Sequence, residues 1–137
     1  MKLIIYSDGG ARGNPGPAGI GATLKNEAGE LVAQVSEYIG EATNNVAEYK
    51  AVIAAMEKAL VLGATDLDFY LDSLLVVEQL NGNYKVKNPG LAPLFVKIYN
   101  ARMSFKKTTF SHVRREYNKE ADALVNLALD KQLGILR

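Results

Sequence analysis

The spacing of apolar residues changes along the chain, and each change marks an element. Leu3-Ile4-Ile5-Tyr6 is a short apolar run, the composition of a buried strand over Lys2–Ser7. Gly19–Asn26 reads as a second strand and Leu31–Ile39 as a third, joined by the turn Glu27-Ala28-Gly29-Glu30. In the third, Leu31, Ala33 and Val35 share one face and Val32, Gln34 and Ser36 the other. Their short connections make the three an antiparallel meander. From Thr43 to Leu62 the period lengthens. Val46, Tyr49, Ile53, Met56 and Leu60 recur at spacings of three and four, predicting a helix with one buried stripe. Thr43 and Asn44 are candidate N-caps and Gly63 a candidate C-cap. Alternation returns at Asp66–Leu71, a fourth strand. A helix over Leu74–Leu80, a polar loop over Asn81–Gly90 and a helix over Leu91–Ser104 with Leu94, Phe95, Ile98 and Ala101 inward come next. A fifth strand over Thr108–Val113, a charged loop over Arg114–Tyr117 and a last helix over Asn118–Leu133 follow, the helix packed through Ala121, Leu124, Val125 and Ala128. A strand reached through a helical crossover lies parallel to its neighbour, so strands one and four should run side by side in one direction. No repeat, low-complexity tract or linker interrupts the 137 residues, which are expected to form one α/β domain, 1–137, with a full core.

Acids punctuate this pattern. The first strand is expected to stop on Asp8, followed by Gly9 and Gly10, which let backbone approach a ligand closely. Asn14-Pro15-Gly16-Pro17 then constrains the loop. The fourth strand ends on Asp72, and parallel neighbours would bring Asp8 and Asp72 to the same end. In an open α/β sheet that end carries the functional crevice. Glu48 and Asp122 lie near the starts of two helices that cross over these strands. Each acid alone has an ordinary explanation: a solvated turn, an N-cap, or a carboxylate favoured by a helix dipole. Four together would repel one another and raise each other's pKa values, so a cation is implied. With no cysteine and no organised histidine, the oxygen donors point to Mg²⁺ or Mn²⁺ rather than zinc. Two such ions about 3.5–4 Å apart can flank one phosphodiester.

The absence of cysteine also excludes disulfides and a thiol nucleophile. There is no signal-peptide pattern and no apolar run long enough to span a membrane, so a cytoplasmic protein is expected. The net charge of +1 hides an asymmetry. Gln79 to Arg115 contains no Asp or Glu but carries Lys85, Lys87, Lys97, Arg102, Lys106, Lys107, Arg114 and Arg115. Such a stretch fits a polyanion-binding face.

The segments YSDGGARGNPGPAGIG, ATNNVAEY, YLDS and NKEADAL, in this order and spacing, resemble the type 1 ribonuclease H family over nearly the whole chain. The resemblance implies a ribonuclease H-like fold: a five-stranded mixed sheet, order 3-2-1-4-5, with helices on both faces. It implies a metal-dependent endonuclease that hydrolyses the RNA strand of RNA–DNA hybrids and leaves 3′-hydroxyl and 5′-phosphate ends. The family's metal-binding acids fall on Asp8, Glu48, Asp72 and Asp122. Asn14 and the backbone of Gly9 and Gly10 fall on a loop that senses RNA 2′-hydroxyls, which distinguish RNA from DNA. Thr43 and Asn88 fall on a pocket for a DNA-strand phosphate, and Asn44 and Asn45 on minor-groove contacts. Lys85 and Lys87 would lie along the duplex and give salt-sensitive affinity without sequence specificity.

Three departures qualify the resemblance. The loop after Leu80 replaces a longer basic helical protrusion found in many relatives. Leu74 stands where a polar residue often makes a minor-groove contact. The loop before the last helix reads Arg114-Arg115-Glu116-Tyr117 where the family has a histidine associated with product release. The single histidine, His112, is expected in strand five as a structural residue, so Arg115 is the first substitute and Glu116 the second. Competing readings are a binding module of the same fold that grips hybrid or double-stranded RNA without cutting, and a nuclease that also accepts double-stranded RNA. The retention of all four acids argues against the first. A sugar-kinase or actin-like ATPase shares the opening strand, Asp and glycines but needs two such domains. A monomer is expected from the resemblance and from the lack of a further apolar face.

Overall fold

The computed structural model describes residues 1–135. Residues 136 and 137, the end of the tail and of the expected 1–137 domain, lie outside the described residues. The meander is built from β1 (Lys2–Ala11), β2 (Gly16–Lys25) and β3 (Leu31–Ala42), all antiparallel neighbours. Then follow α1 (Asn44–Val61), β4 (Asp66–Leu71), α2 (Leu74–Leu80), α3 (Ala92–Ala101), β5 (Lys107–His112) and α4 (Lys119–Leu133). The sheet order is β3-β2-β1-β4-β5, with β1, β4 and β5 parallel, as the crossovers require. Leu3 and Ile5 of β1, Leu67, Phe69 and Leu71 of β4, and Tyr49, Val52, Ile53 and Met56 of α1 form the centre of the core. No described helix is long and apolar enough to cross a membrane.

The first hairpin is longer than the sequence pattern implies. β1 continues past Ser7 through the acid and both glycines to Ala11, because β2 keeps pairing with it: Asp8 faces Gly21 and Gly9 faces Ile20. Parallel pairing with β4, by contrast, stops at Tyr6 opposite Tyr70. Asp8 therefore sits within a strand but just beyond its parallel pairing, rather than at a strand tip. Gly9 and Gly10 are extended, and the positive φ of this region belongs to Gly13, at 96° in the connecting loop. A side chain at Gly9 would fall on the Ala47 carbonyl, so this glycine lets the start of α1 rest on β1. Gly21 does the same for α4, whose Ala121 carbonyl lies where a Cβ would be.

Thr43 caps α1, its hydroxyl oxygen accepting from the Val46 N–H at 3.2 Å. Tyr49, Ile53 and Met56 are buried as the periodicity predicts, but Leu60 is 54% exposed. The row that carries burial to the helix end is Ala47, Ala51, Ala55 and Ala59, all fully buried. Ala59 and Leu60 point about 100° apart on the helix, so burying one turns the other outward. On α4, Ala121, Val125, Ala128 and Leu129 are buried while Leu124 is half-buried. The stretch expected to be one helix to Ser104 breaks at Ala101 into a 3₁₀ turn, Arg102–Ser104. Arg102 is no free cation: its guanidinium donates to the Leu80 and Thr108 carbonyls at 3.4 and 3.2 Å and lies over the Phe110 ring. The loop over 81–91 contains no helix.

Candidate active site

Where β1 outruns β4, three elements converge. Asp8 comes from β1, Asp72 directly follows β4, and Glu48 lies in the second turn of α1. One carboxylate oxygen from each lies within 4.8 Å of the other two. Asp8 and Glu48 are buried, and Asp72 is half-buried. Asp8 Oδ1 accepts from the Gly9 N–H at 3.0 Å. Glu48 Oε2 is buried and has no hydrogen-bond partner. Burial, then the charge of Asp72, push the Asp8 carboxyl up to about 7. Glu48 is raised too, first by burial and then by Asp8.

These groups line a cleft of about 510 Å³. Asp122 also lines it, from an exposed position on the first turn of α4, outside the close triad. Its charge contributes to raising Asp8. Gly9, Gly10, Asn44, Asn45 and Arg115 line the same cleft. Arg115 is exposed and belongs to a 3₁₀ turn, Arg115–Tyr117, just before α4. Glu116 is instead engaged with Arg114 at 3.5 Å. His112 is the exposed last residue of β5 and does not line the cleft.

The other residues singled out from the sequence lie outside the cleft lining. Asn14 braces the hairpin loop against the helix: its Oδ1 accepts from the Asn44 N–H at 3.0 Å, while Asn44 Oδ1 accepts from the Ala11 N–H at 2.9 Å. The Thr43 hydroxyl is committed to its cap. Asn88 closes a turn, its Oδ1 accepting from the Gly90 N–H at 2.7 Å. Lys85 and Lys87 are exposed in the loop between α2 and α3.

Two neighbours of the acids escaped the sequence reading. Arg12 lines the cleft and donates to Asp130 Oδ1 at 2.6 Å and Asn126 Oδ1 at 3.3 Å, pinning the end of β1 to α4. Asn118, buried before α4, donates to the Ser7 carbonyl and to Asp72. Asn118 opens the NKEADAL segment, but nothing in one sequence shows that its side chain turns inward.

The donor set suits a hard divalent cation. It is all oxygen, contains no cysteine or histidine, and holds a buried carboxylate oxygen with nothing else to bind it. Asp8, Glu48 and Asp72 are the residues that could hold such an ion, and Asp122 lines the same cleft.

Comparison with known proteins supplies the family. Residues 6–128 match the family model described as reverse transcriptase-like. The bifunctional protein Rv2228c of Mycobacterium tuberculosis is 45% identical over 131 residues, covering 95% of this chain and 36% of that protein. Ribonuclease HI of Halobacterium salinarum is 44% identical over 129 residues, covering 94% of this chain and 65% of that protein. The chain thus spans about a third of the mycobacterial relative's length and under two thirds of the halobacterial one. Among solved structures, LC11-RNase H1, isolated from compost and seen in complex with RNA/DNA hybrid, superposes with a TM-score of 0.92 at 48% identity. That match covers 96% of this chain and 99% of the other. The sheet order, the acids gathered where β1 outruns β4, and these likenesses agree: the chain belongs to the ribonuclease H family, with the type 1 enzymes.

Proposed function

We propose that this chain is a divalent-metal-dependent endoribonuclease that hydrolyses the RNA strand of RNA–DNA hybrids, leaving 3′-hydroxyl and 5′-phosphate ends. The observation that carries the reading is the trio of Asp8, Glu48 and Asp72, gathered within 4.8 Å with one buried oxygen of Glu48 unbonded. The ribonuclease names of its relatives and the hybrid bound to LC11-RNase H1 support the substrate. Asp8, Glu48 and Asp72 hold Mg²⁺, or Mn²⁺ in its place, and Asp122 at the rim completes the set. When bound, two such ions would supply positive charge at the scissile phosphodiester and a more acidic water. The chain's own residues do the rest. The walls of the cleft keep the acids partly out of water, which strengthens their hold on a cation. Asn44 and Asn45, with the backbone of Gly9 and Gly10, face the minor groove, where 2′-hydroxyls mark the RNA strand. Asn14 holds that loop in place through its bond to Asn44. Thr43 and Asn88 receive a phosphate of the DNA strand, and Lys85 and Lys87 attract the backbone. Arg115 assists departure of the cleaved strand. The chain works as one domain and a monomer, in the cytoplasm.

The test is cleavage of an end-labelled hybrid with Mg²⁺, with EDTA, and by Asp72→Asn, alongside double-stranded RNA and DNA. Metal-dependent cutting of the RNA strand, lost in the variant, is expected. Binding of the hybrid without cutting under either Mg²⁺ or Mn²⁺ would replace the enzyme with a binding module. Equal cutting of double-stranded RNA would widen the substrate.

A further inference from the structure

Behind the acids lies a buried amide. Asn118 occupies the position before α4 and is 1% exposed. A residue there normally turns its side chain onto the free N–H groups of its own helix. Asn118 makes no such bond. Its Nδ2 donates instead to the Ser7 carbonyl at 3.0 Å and to Asp72 Oδ2 at 3.2 Å. Both partners only accept, so the amide can face them in one orientation alone. Asn118 Oδ1 is left buried without a partner. The capping rotamer would have put that oxygen on an N–H; the observed one gives it up to keep the NH₂ between β1 and Asp72. The backbone carbonyl of the same residue accepts from the Asp122 N–H at 3.1 Å. One residue thus touches the strand position before Asp8, the carboxylate of Asp72 and the backbone of Asp122.

We infer that Asn118 is a positioning residue for the cation site: its amide holds the Asp72 carboxylate in place and ties the start of α4 to β1. The inference rests on the metal-dependent reading above and adds a residue to it. Like charges brought together drift apart unless something fixes them, and a neutral NH₂ fixes a carboxylate without cancelling the charge a cation needs. Groups that orient metal ligands typically change affinity by about 10–100-fold when removed.

The test measures Mg²⁺ and Mn²⁺ affinity by titration calorimetry, without substrate, on the unaltered chain, Asn118→Ala and Ser36→Ala. Ser36 is the control for loosened packing: its hydroxyl donates to the Leu124 carbonyl at 2.7 Å, docking α4 without touching an acid. The expected result is affinity weaker by roughly tenfold or more in Asn118→Ala and unchanged in Ser36→Ala. Unchanged affinity in Asn118→Ala overturns the inference while leaving the nuclease reading intact. Equal losses in both variants also overturn it, because the effect is then general to α4. An unaltered chain that binds neither ion removes the nuclease reading, and the inference with it. Should Asn118→Ala fail to fold, the side-chain amide signal of Asn118 is followed by NMR in the unaltered chain. Its shift on saturation with Mg²⁺ supports the inference, and a signal indifferent to the ion overturns it.

Discussion

The parallel pair β1–β4 carries acids toward both its ends, and the two ends treat them in opposite ways. Toward the start of the strands, Asp68 lies 2.9 Å from the Lys2 ammonium and accepts from the Thr109 hydroxyl at 2.9 Å. Its carboxyl is lowered, above all by the bond from Lys2, and Lys2 is raised in return. At the other end Asp8 and Glu48 are raised, burial leading in both cases and neighbouring acids following. Asp68 and Asp8 are the same residue type on neighbouring strands of one pair. The difference is that one acid comes with its cation and the other group awaits one. A fold selected for stability alone would not leave acids buried against one another without counter-charge. The cleft therefore reads as a site whose positive charge arrives from outside.

The sharpest way to break this contrast is to remove a charge from the cleft. Asp8→Asn should drop hybrid cleavage by at least ~10³-fold, the scale seen when a central catalytic group is lost. The same change should leave the fold intact and, without metal, raise its stability, since it removes repulsion and the desolvation of a charge. Cleavage assays and thermal melts of the same preparation check both halves. A variant that melts well below the unaltered chain would show that Asp8 serves the fold, as Asp68 does at the other end.

A gentler lever is pH. Asp8 titrates at about 7 in the folded chain, above the ordinary aspartate value of 3.8. A raised acid holds its proton better when folded, so its contribution is complete below the ordinary value. It is lost as pH climbs through the folded value. Glu48 acts in the same direction. Without metal, stability should fall between about pH 4 and pH 7. Saturating Mg²⁺ should oppose that fall, by about 2.7 kcal/mol at one hundred times its dissociation constant. Melts at pH 5 and pH 8, each with Mg²⁺ and with EDTA, should show the larger metal effect at pH 8. An equal effect at both would detach the metal from these acids.

Much of this arrangement is legible in the sequence, and the rest fails for identifiable reasons. The meander and the parallel pairing of strands one and four follow from alternation, short turns and the helical crossover, all local or nearly so, whereas the full order with β5 at the edge comes from the family resemblance. That Asp8 and Asp72 meet follows from parallel pairing. What is missed depends on partners remote in the chain. Asp8 lies inside β1 because β2 goes on pairing, and no residue near Asp8 announces this. Gly9 lines the cleft, but that its missing side chain also makes room for α1 is not visible near it in the chain. Arg102 looks like part of a basic face until the carbonyls of Leu80 and Thr108 claim it. Arg12 meets Asp130 across 118 positions, and Asn118 meets Ser7 across 111. Leu60 is a matter of phase: a stripe read at threes and fours drifts, and the alanine row decides where the helix turns its back.

Arg115 tests whether the acidic end has a counter-ion of its own. It is a cation on the cleft lining but exposed, so solvent screens it from the acids. Arg115→Ala should slow turnover by roughly tenfold, less than the 10²–10⁴ of a proton-transfer group, and leave Mg²⁺ affinity unchanged. Steady-state rates and calorimetry separate the two. Weaker folding in metal-free buffer would make Arg115 the missing counter-charge, and an unchanged rate would remove it from the reaction.

The smallest effect belongs to the balanced end. The Lys2 side chain is 41% exposed and that of Asp68 is 21%, so Lys2→Met removes a largely solvated pair and leaves Asp68 its bond from Thr109. Stability should fall slightly, less so in high salt, with cleavage unaffected. The pH dependence carries the information. Asp68 is lowered on folding, so its contribution is present above the ordinary aspartate value and is lost as pH falls through the folded one. This slope is opposite in sign to that of the cleft. Lys2→Met should flatten the acid limb below about pH 4 and leave the fall between pH 4 and pH 7 untouched. Denaturant melts across both windows read the two limbs separately. If Lys2→Met altered the higher window, the ends of the β1–β4 pair would be coupled, and the acids of the cleft could no longer be treated as a group that balances its charge with metal alone.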